Sequence, residues 1–231
     1  LNIQNGLVVP VIGTRQQPCA PMEVLAFLLD RGCHRLTLVD VDAARGAGHN
    51  RDLIARIMNR YHRSSGKVCI QVGGGIRSSD QAQFYLDQGA AWLLVGTILH
   101  RSPLVVEQLL ARFRDSLSAG VDARGGEIQA SGWGEPARLK PDSAGERIKG
   151  HGFKRIFFMD IPTCPEAEPD FHTARIIATS SHIPLFMGGS IRSRAQLKAA
   201  LETPGLQGIA MDALLLREDP ELFGSMSPTH L

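Results

Sequence analysis

The sequence predicts an α/β chain folded as a (β/α)8 TIM barrel built from two similar half-barrels. Three observations carry that prediction. Eight short apolar runs alternate with amphipathic stretches, two Gly-rich turns resemble each other, and the second half of the chain echoes the first. Alternation of this kind is the pattern of βα units wound around a parallel sheet. No stretch reads as a linker, so residues 1–231 are expected to form a single domain, with half-barrels about 1–116 and 117–231.

The strand candidates are residues 1–3, 35–42, 68–72, 92–96, 117–123, 155–161, 184–188 and 208–212. Each is short and apolar, most are β-branched or aromatic in part, and each stops at Gly, Asp or a polar turn. Helices are expected at 21–32, 50–63, 102–115 and 193–202, where apolar residues recur at i, i+3, i+4 and i+7. Ser78-Ser79-Asp80 and Ser102-Pro103 read as helix starts, and Gly32 and Gly89 as helix stops. Residues 124–142 and 162–170 read as long irregular loops after strand ends, where a barrel keeps its active-site loops.

The internal echo has two registers. At an offset of 115, Gly73-Gly74-Gly75-Ile76-Arg77-Ser78 falls on Gly188-Gly189-Ser190-Ile191-Arg192-Ser193. At an offset of 120, Asp40-Val41 falls on Asp160-Ile161, and Leu1-Asn2-Ile3 on Val121-Asp122-Ala123. Four βα units repeated once make eight.

Composition excludes several classes of function. A net charge of +2 and 6% aromatic residues argue against a nucleic-acid partner, and no apolar run is long enough to cross a membrane. The four cysteines lack metal-ligand spacing and read as reduced thiols, and the eight histidines show no ligand pattern. The expectation is a soluble cytoplasmic protein with no metal site, monomeric in preference to an oligomer.

The Gly-rich turns carry the chemistry. Gly73, Gly74 and Gly75 let backbone N–H groups approach an anion, and a helix starting at Ser78 adds its dipole. Gly96 and Thr97 are expected to complete this phosphate site from the following strand. Gly188, Gly189 and Ser190 repeat the cradle, but there the next strand ends in Met211-Asp212, whose side chain and negative charge oppose a phosphate. Asp212 also reads as a cap for the turn after it. Asp40 lies at a strand end, where it either binds substrate hydroxyls or holds loops in place.

Five motifs, LVDVDAARGAGHN (38–50), QVGGGIRS (71–78), VGT (95–97), ASGW (130–133) and MGGSIRS (187–193), resemble in order those of the HisA family. That family is the phosphoribosylformimino-AICAR-ribotide isomerases of histidine biosynthesis, with the HisF synthase subunit a more distant relative. The resemblance implies a phosphorylated small-molecule ligand with a phosphate at each end. It also implies an Amadori rearrangement without cofactor, run by carboxylates in acid–base roles. The family's first-strand aspartate falls on Asn2, an amide with no useful basicity. Asp122 and Asp160 keep their carboxylates, and Glu166 lies where the family has DGT. Trp133 is placed to stack on an imidazole or to pin a loop, and Arg15 to reach a phosphate or to serve as an ordinary surface arginine. Three readings follow: a diverged isomerase, an enzyme on a mono-phosphorylated sugar or nucleotide, and a non-catalytic phosphate-binding barrel.

Overall fold

In the computed structural model, which describes residues 1–11, 16–65, 68–130, 135–164 and 166–225, the apolar runs become strands and the amphipathic stretches helices. In chain order the main elements are β1 (Asn2–Gln4), β2 (Leu7–Val9), α1 (Pro21–Asp30), β3 (Arg35–Asp40), α2 (Val41–Arg45), α3 (Arg51–Ser65), β4 (Cys69–Gly73), α4 (Ser79–Asp87) and β5 (Trp92–Val95). There follow α5 (Ile98–Arg101), α6 (Pro103–Phe113), β6 (Leu117–Arg124), β7 (Glu127–Ala130), β8 (Glu135–Pro136), α7 (Pro141–His151), β9 (Ile156–Asp160), α8 (Phe171–Ser181), β10 (Leu185–Gly189), α9 (Arg194–Leu201), β11 (Leu206–Ala210) and α10 (Ala213–Glu218).

The chain divides into two units, residues 1–94 with the segment from Asp212 onward, and residues 95–211. In the first, β3 pairs in parallel with β1 and β4, β4 pairs with β5, and β2 folds back antiparallel on β1. In the second, β9 pairs in parallel with β6 and β10, β10 pairs with β11, and β7 folds back antiparallel on β6. Each unit is thus an α/β arrangement around a parallel-rich sheet.

The registers of the two units repeat at an offset of 120. Asn2 pairs with Val39 and Ile3 with Asp40, while Asp122 pairs with Met159 and Ala123 with Asp160. The hairpins follow suit, with Asn2 opposite Val9 and Asp122 opposite Gln129. Their two-residue turns match as well. Asn5 and Gly6 have φ of 50° and 78°, Gly125 and Gly126 have 55° and 82°, the positive pair that a tight hairpin turn needs.

Side chains alternate across each strand. In β6, Leu117, Ala119, Val121 and Ala123 are buried on one face, while Ser118, Gly120, Asp122 and Arg124 line the other. The apolar face continues into Ile156 and Phe158 of β9. In the first unit the matching face carries Ile3, Leu36 and Leu38, all buried.

Three boundaries differ from expectation. The run at 35–42 breaks at Asp40, because that carboxylate caps α2 by accepting from the Ala43 N–H (3.0 Å). The last strand is Leu206–Ala210 rather than 208–212, because Asp212 caps α10 instead of extending the ladder. The loop at 124–142 contains β7, β8 and the start of α7.

Candidate functional site

Each unit carries the same strand-end device. Asp40 is fully buried at the end of β3, and its carboxylate accepts the Asn50 backbone N–H (2.6 Å) and side-chain N–H (2.8 Å) as well as that of Ala43. Asp160 lies at the end of β9, 3% exposed, and its Oδ2 accepts the Asp170 N–H (2.9 Å) and the Ser190 hydroxyl. Residues 50 and 170 are again 120 apart. Both carboxylates therefore hold the loop that leads to the next helix.

In the first unit the device reaches back to the hairpin. Asn50 also donates to Asp42 Oδ2 (2.8 Å), its own Oδ1 accepts the Gly6 N–H (2.9 Å), and Asp42 accepts the Asn5 N–H (2.7 Å). Of the two roles open to Asp40, loop holding is the one these bonds perform. The charge is felt nearby: burial, with Asp40 adding to it, pushes the Tyr85 phenol up to about 12. Burial likewise raises the Asp160 carboxyl above its ordinary value, against the Ser190 and Asp170 hydrogen bonds that favour the ion.

The glycines that follow sit tightly on these devices. Gly74 has φ 93° and Gly189 φ 110°, and a Cβ at either would overlap the carbonyl oxygen of Asp40 or Asp160 respectively. Close strand-to-turn approach thus requires glycine twice, 115 residues apart. The third cradle position differs. Gly75 has φ 71°, and a Cβ there would lie 2.6 Å from that of Ala43, whereas Ser190 is fully buried with its hydroxyl committed to Asp160.

Each turn leads into a helix with the same cap. Ser78 accepts the Gln81 N–H and Ser193 the Gln196 N–H, both at 3.2 Å. The glutamines reach back to the N–H groups of Arg77 (2.7 Å) and Arg192 (2.9 Å), one residue before each cap, a close variant of the capping box. The Ser78 hydroxyl is thus engaged by its own helix.

The strands after the two turns end differently. Gly96 and Thr97 open α5, where the Thr97 side chain does not cap the helix and a Cβ at Gly96 would lie 3.6 Å from the Gly120 oxygen. Asp212 opens α10 by accepting from the N–H groups of Leu214 (2.8 Å) and Leu215 (3.2 Å), and its other oxygen accepts the Val11 N–H (2.9 Å).

The remaining candidates separate by strand face. Asn2 and Asp122 occupy equivalent register positions, both partly exposed. Asp122 shares its face with Met159, while Asp160 shares the opposite, apolar face with Ala123. Asp122 and Asp160 are therefore not brought together. Glu166 is exposed in the turn after β9. Arg15 and Trp133 lie outside the described residues. Among the described residues no cluster of His, Cys, Asp and Glu could hold a metal ion, and no helix is long and apolar enough to cross a membrane. Sequence reasoning missed Asn50, Asp170, Gln81 and Gln196. The signal for all four was present as the same two offsets that align the motifs.

Comparison with known proteins bears on what these devices serve. A family model described as histidine biosynthesis protein matches residues 1–219. The chain belongs to that family. The family's fold is the (β/α)8 barrel, which agrees with the parallel-rich α/β sheets of both units. Among its relatives is a 1-(5-phosphoribosyl)-5-((5-phosphoribosylamino)methylideneamino) imidazole-4-carboxamide isomerase of Sorangium cellulosum, 30% identical over 87% of this chain and 81% of the relative. Proteins of the same name from a Synechococcus and from Prochlorococcus marinus are 30% and 32% identical, over 84% and 80% of this chain and 74% and 72% of their own.

Proposed function

We propose that the chain is a HisA-like isomerase that converts a phosphoribosylamine from aldose to ketose, acting as one closed (β/α)8 barrel of two similar half-barrels. It would work as a cytoplasmic monomer, without metal, cofactor or nucleic-acid partner. Family membership and the names of the relatives support the ligand class. The observation that carries the chemistry is the register of β6, which sets Asp122 on the polar face near the strand's C-terminal end, where the active sites of such barrels are built.

The rearrangement opens with proton transfers at two atoms of the sugar. An acid protonates the ring oxygen as the ring opens to an iminium, and a base then takes the C2 proton to give an enolamine. That enolamine tautomerises to the aminoketose, with no net change in atoms or electrons. Asn2 can neither take nor give a proton usefully at these steps, so both fall to Asp122, first as the acid and then, ionised, as the base. Gly73–Gly75 offer backbone N–H groups to a phosphate ahead of α4. Asp160 and Asp40 belong to loop holding in this reading, and Glu166 to the surface.

The test is turnover by the purified chain of the bis-phosphorylated aminoimidazole ribotide and its two mono-phosphorylated analogues, with Asp122→Asn beside it. The variant is expected to lose about 100- to 10,000-fold in kcat, with ligand affinity and thermal midpoint retained. Absence of turnover with every ligand, despite binding, would leave a phosphate-binding barrel that is not an enzyme.

A further inference from the structure

We infer that Arg124 is a specificity-determining residue: its guanidinium, half-buried at the end of β6 with no acceptor for its Nε, holds a phosphate of the ligand on the face that carries Asp122. The inference deepens the function proposed above and rests on it for the ligand class.

Strand geometry places the residue. Arg124 ends β6 two positions after Asp122, so the two side chains leave the sheet on the same side. The Arg124 Nε is covered, yet it has no hydrogen-bond partner. An arginine cannot shed its charge to escape such a setting, and a buried charged donor left unpaired is worse off than the same group in water. The neighbours that could supply an acceptor do not. Glu127 lies opposite across the hairpin but is exposed, and among the described residues no ion pair holds the guanidinium. Asp160 spends its carboxylate on Ser190 and Asp170, and it belongs to the opposite face.

A ligand anion supplies what the fold withholds. A guanidinium presents parallel N–H donors that match two oxygens of a phosphate, and the match strengthens away from bulk water. Register brings the second Gly-rich turn to the same level of this sheet, since Ala123 pairs with Asp160 and Asp160 with Gly189. The end of β6 therefore lies two strand spacings, roughly 10 Å, from that turn, a gap that an arginine side chain and a phosphate span together. On the Asp122 face the residues between are Met159 and Gly188, and Gly188 adds no side chain to fill the space. The first unit lacks this cation. Gln4 stands 120 residues earlier at the same register position, opposite Leu7 as Arg124 is opposite Glu127. The charged residues Asp122 and Arg124 thus replace two neutral ones, Asn2 and Gln4, on one strand face of the second unit.

The experiment measures affinities by calorimetry for the bis-phosphorylated ribotide and for its two analogues that each lack one phosphate. Thermal midpoints are recorded beside them, in inorganic phosphate and in chloride at equal ionic strength. The proteins are the natural chain, Arg124→Gln, which removes the charge, and Arg124→Lys, which keeps the charge without the fork; failure of one variant to fold leaves the other. Arg124→Gln should weaken the bis-phosphorylated ligand and one analogue about tenfold or more, a change of about 1.4 kcal/mol, while the other analogue binds as before. Arg124→Lys should recover part of that loss. In chloride, Arg124→Gln should be at least as stable as the natural chain, because it removes a cation with an unpaired buried donor. Phosphate should raise the midpoint of the natural chain more than that of Arg124→Gln. Equal affinities in all three proteins, or a loss shared by all three ligands together with a lowered midpoint, would overturn the role of Arg124 and spare the proposed function. A natural chain that binds no ribotide would overturn the proposed function, and the phosphate-dependent midpoints, which need no ribotide, would then decide for or against Arg124 by themselves.

Discussion

Asp160 is a carboxylate that folding has made harder to ionise. Burial outweighs the Ser190 and Asp170 hydrogen bonds, so its folded value lies above the ordinary 3.8. The folded state then holds this proton more tightly than the unfolded chain does. The resulting stability is fully present below 3.8 and is lost as pH rises through the raised folded value. Asp160→Asn does not titrate, so its stability should climb relative to the natural chain across that acidic window and run parallel above it. Denaturant unfolding of both proteins at a series of pH values measures this, and a constant difference at every pH would show that Asp160 titrates normally in the fold. Asp40, which accepts three N–H donors to Asp160's single N–H and hydroxyl, serves the same loop-holding role in the first unit.

At the scale of elements, packing decides matters that local sequence patterns leave open. Helices α7 and α8 pack closely because Gly145 lets them: a Cβ there would lie 2.8 Å from the Ile177 carbonyl and would overlap the Ser180 hydroxyl. Gly145→Ala would improve intrinsic helix propensity by about 1 kcal/mol. The overlap should reverse that sign, with net destabilisation of about 1–3 kcal/mol as in other overpacked contacts. Thermal unfolding reads the outcome, and a variant more stable than the natural chain would mean that α8 shifts freely. The sequence pattern around Gly145 could not disclose this contact, which depends on a helix some thirty residues on. The same reason hid β2 and β7. Each has only three or four residues, too few for a periodic signal, although Asn5-Gly6 and Gly125-Gly126 are recognisable hairpin turns. By contrast, β3, β4, β6, β9 and β10 were legible from apolar runs because each is held between neighbours on both sides or packed against a buried face. The ends of β3 and β11 were misplaced because Asp40 and Asp212 both leave the ladder to cap helices.

At the scale of the whole chain, the repeat makes one residue directly interpretable. The two units share strand register, hairpin turn, strand-end aspartate, close-packed glycine and helix cap. Against so much agreement, the contrast of Asn2 with Asp122 is a chemical difference at equivalent backbone positions. The sequence disclosed that contrast because its offset of 120 coincides with the pairing register, while the roles of Asp40 and Asp160 needed hydrogen bonds that no spacing reveals. A carboxylate at position 2 would stand where the fold already accommodates one at 122, and an amide-to-acid exchange changes little in volume. Asn2→Asp should therefore fold with a thermal midpoint close to that of the natural chain. If the rearrangement in the natural chain runs on one carboxylate, a second supplies a separate base for the C2 proton, and kcat should rise by about 100-fold or more. The pH profile should change with it: one group that starts protonated and is ionised by the reaction itself requires a single ionisation state and gives a one-limbed profile, whereas an acid and a separate base must be in opposite states and give a bell. Rates for Asn2→Asp across pH, on whichever ribotide the natural chain turns over, decide the point. A folded variant with unchanged kcat and an unchanged profile would mean that Asn2 is not at the base position and that Asp122 does not carry both proton transfers for want of a partner there.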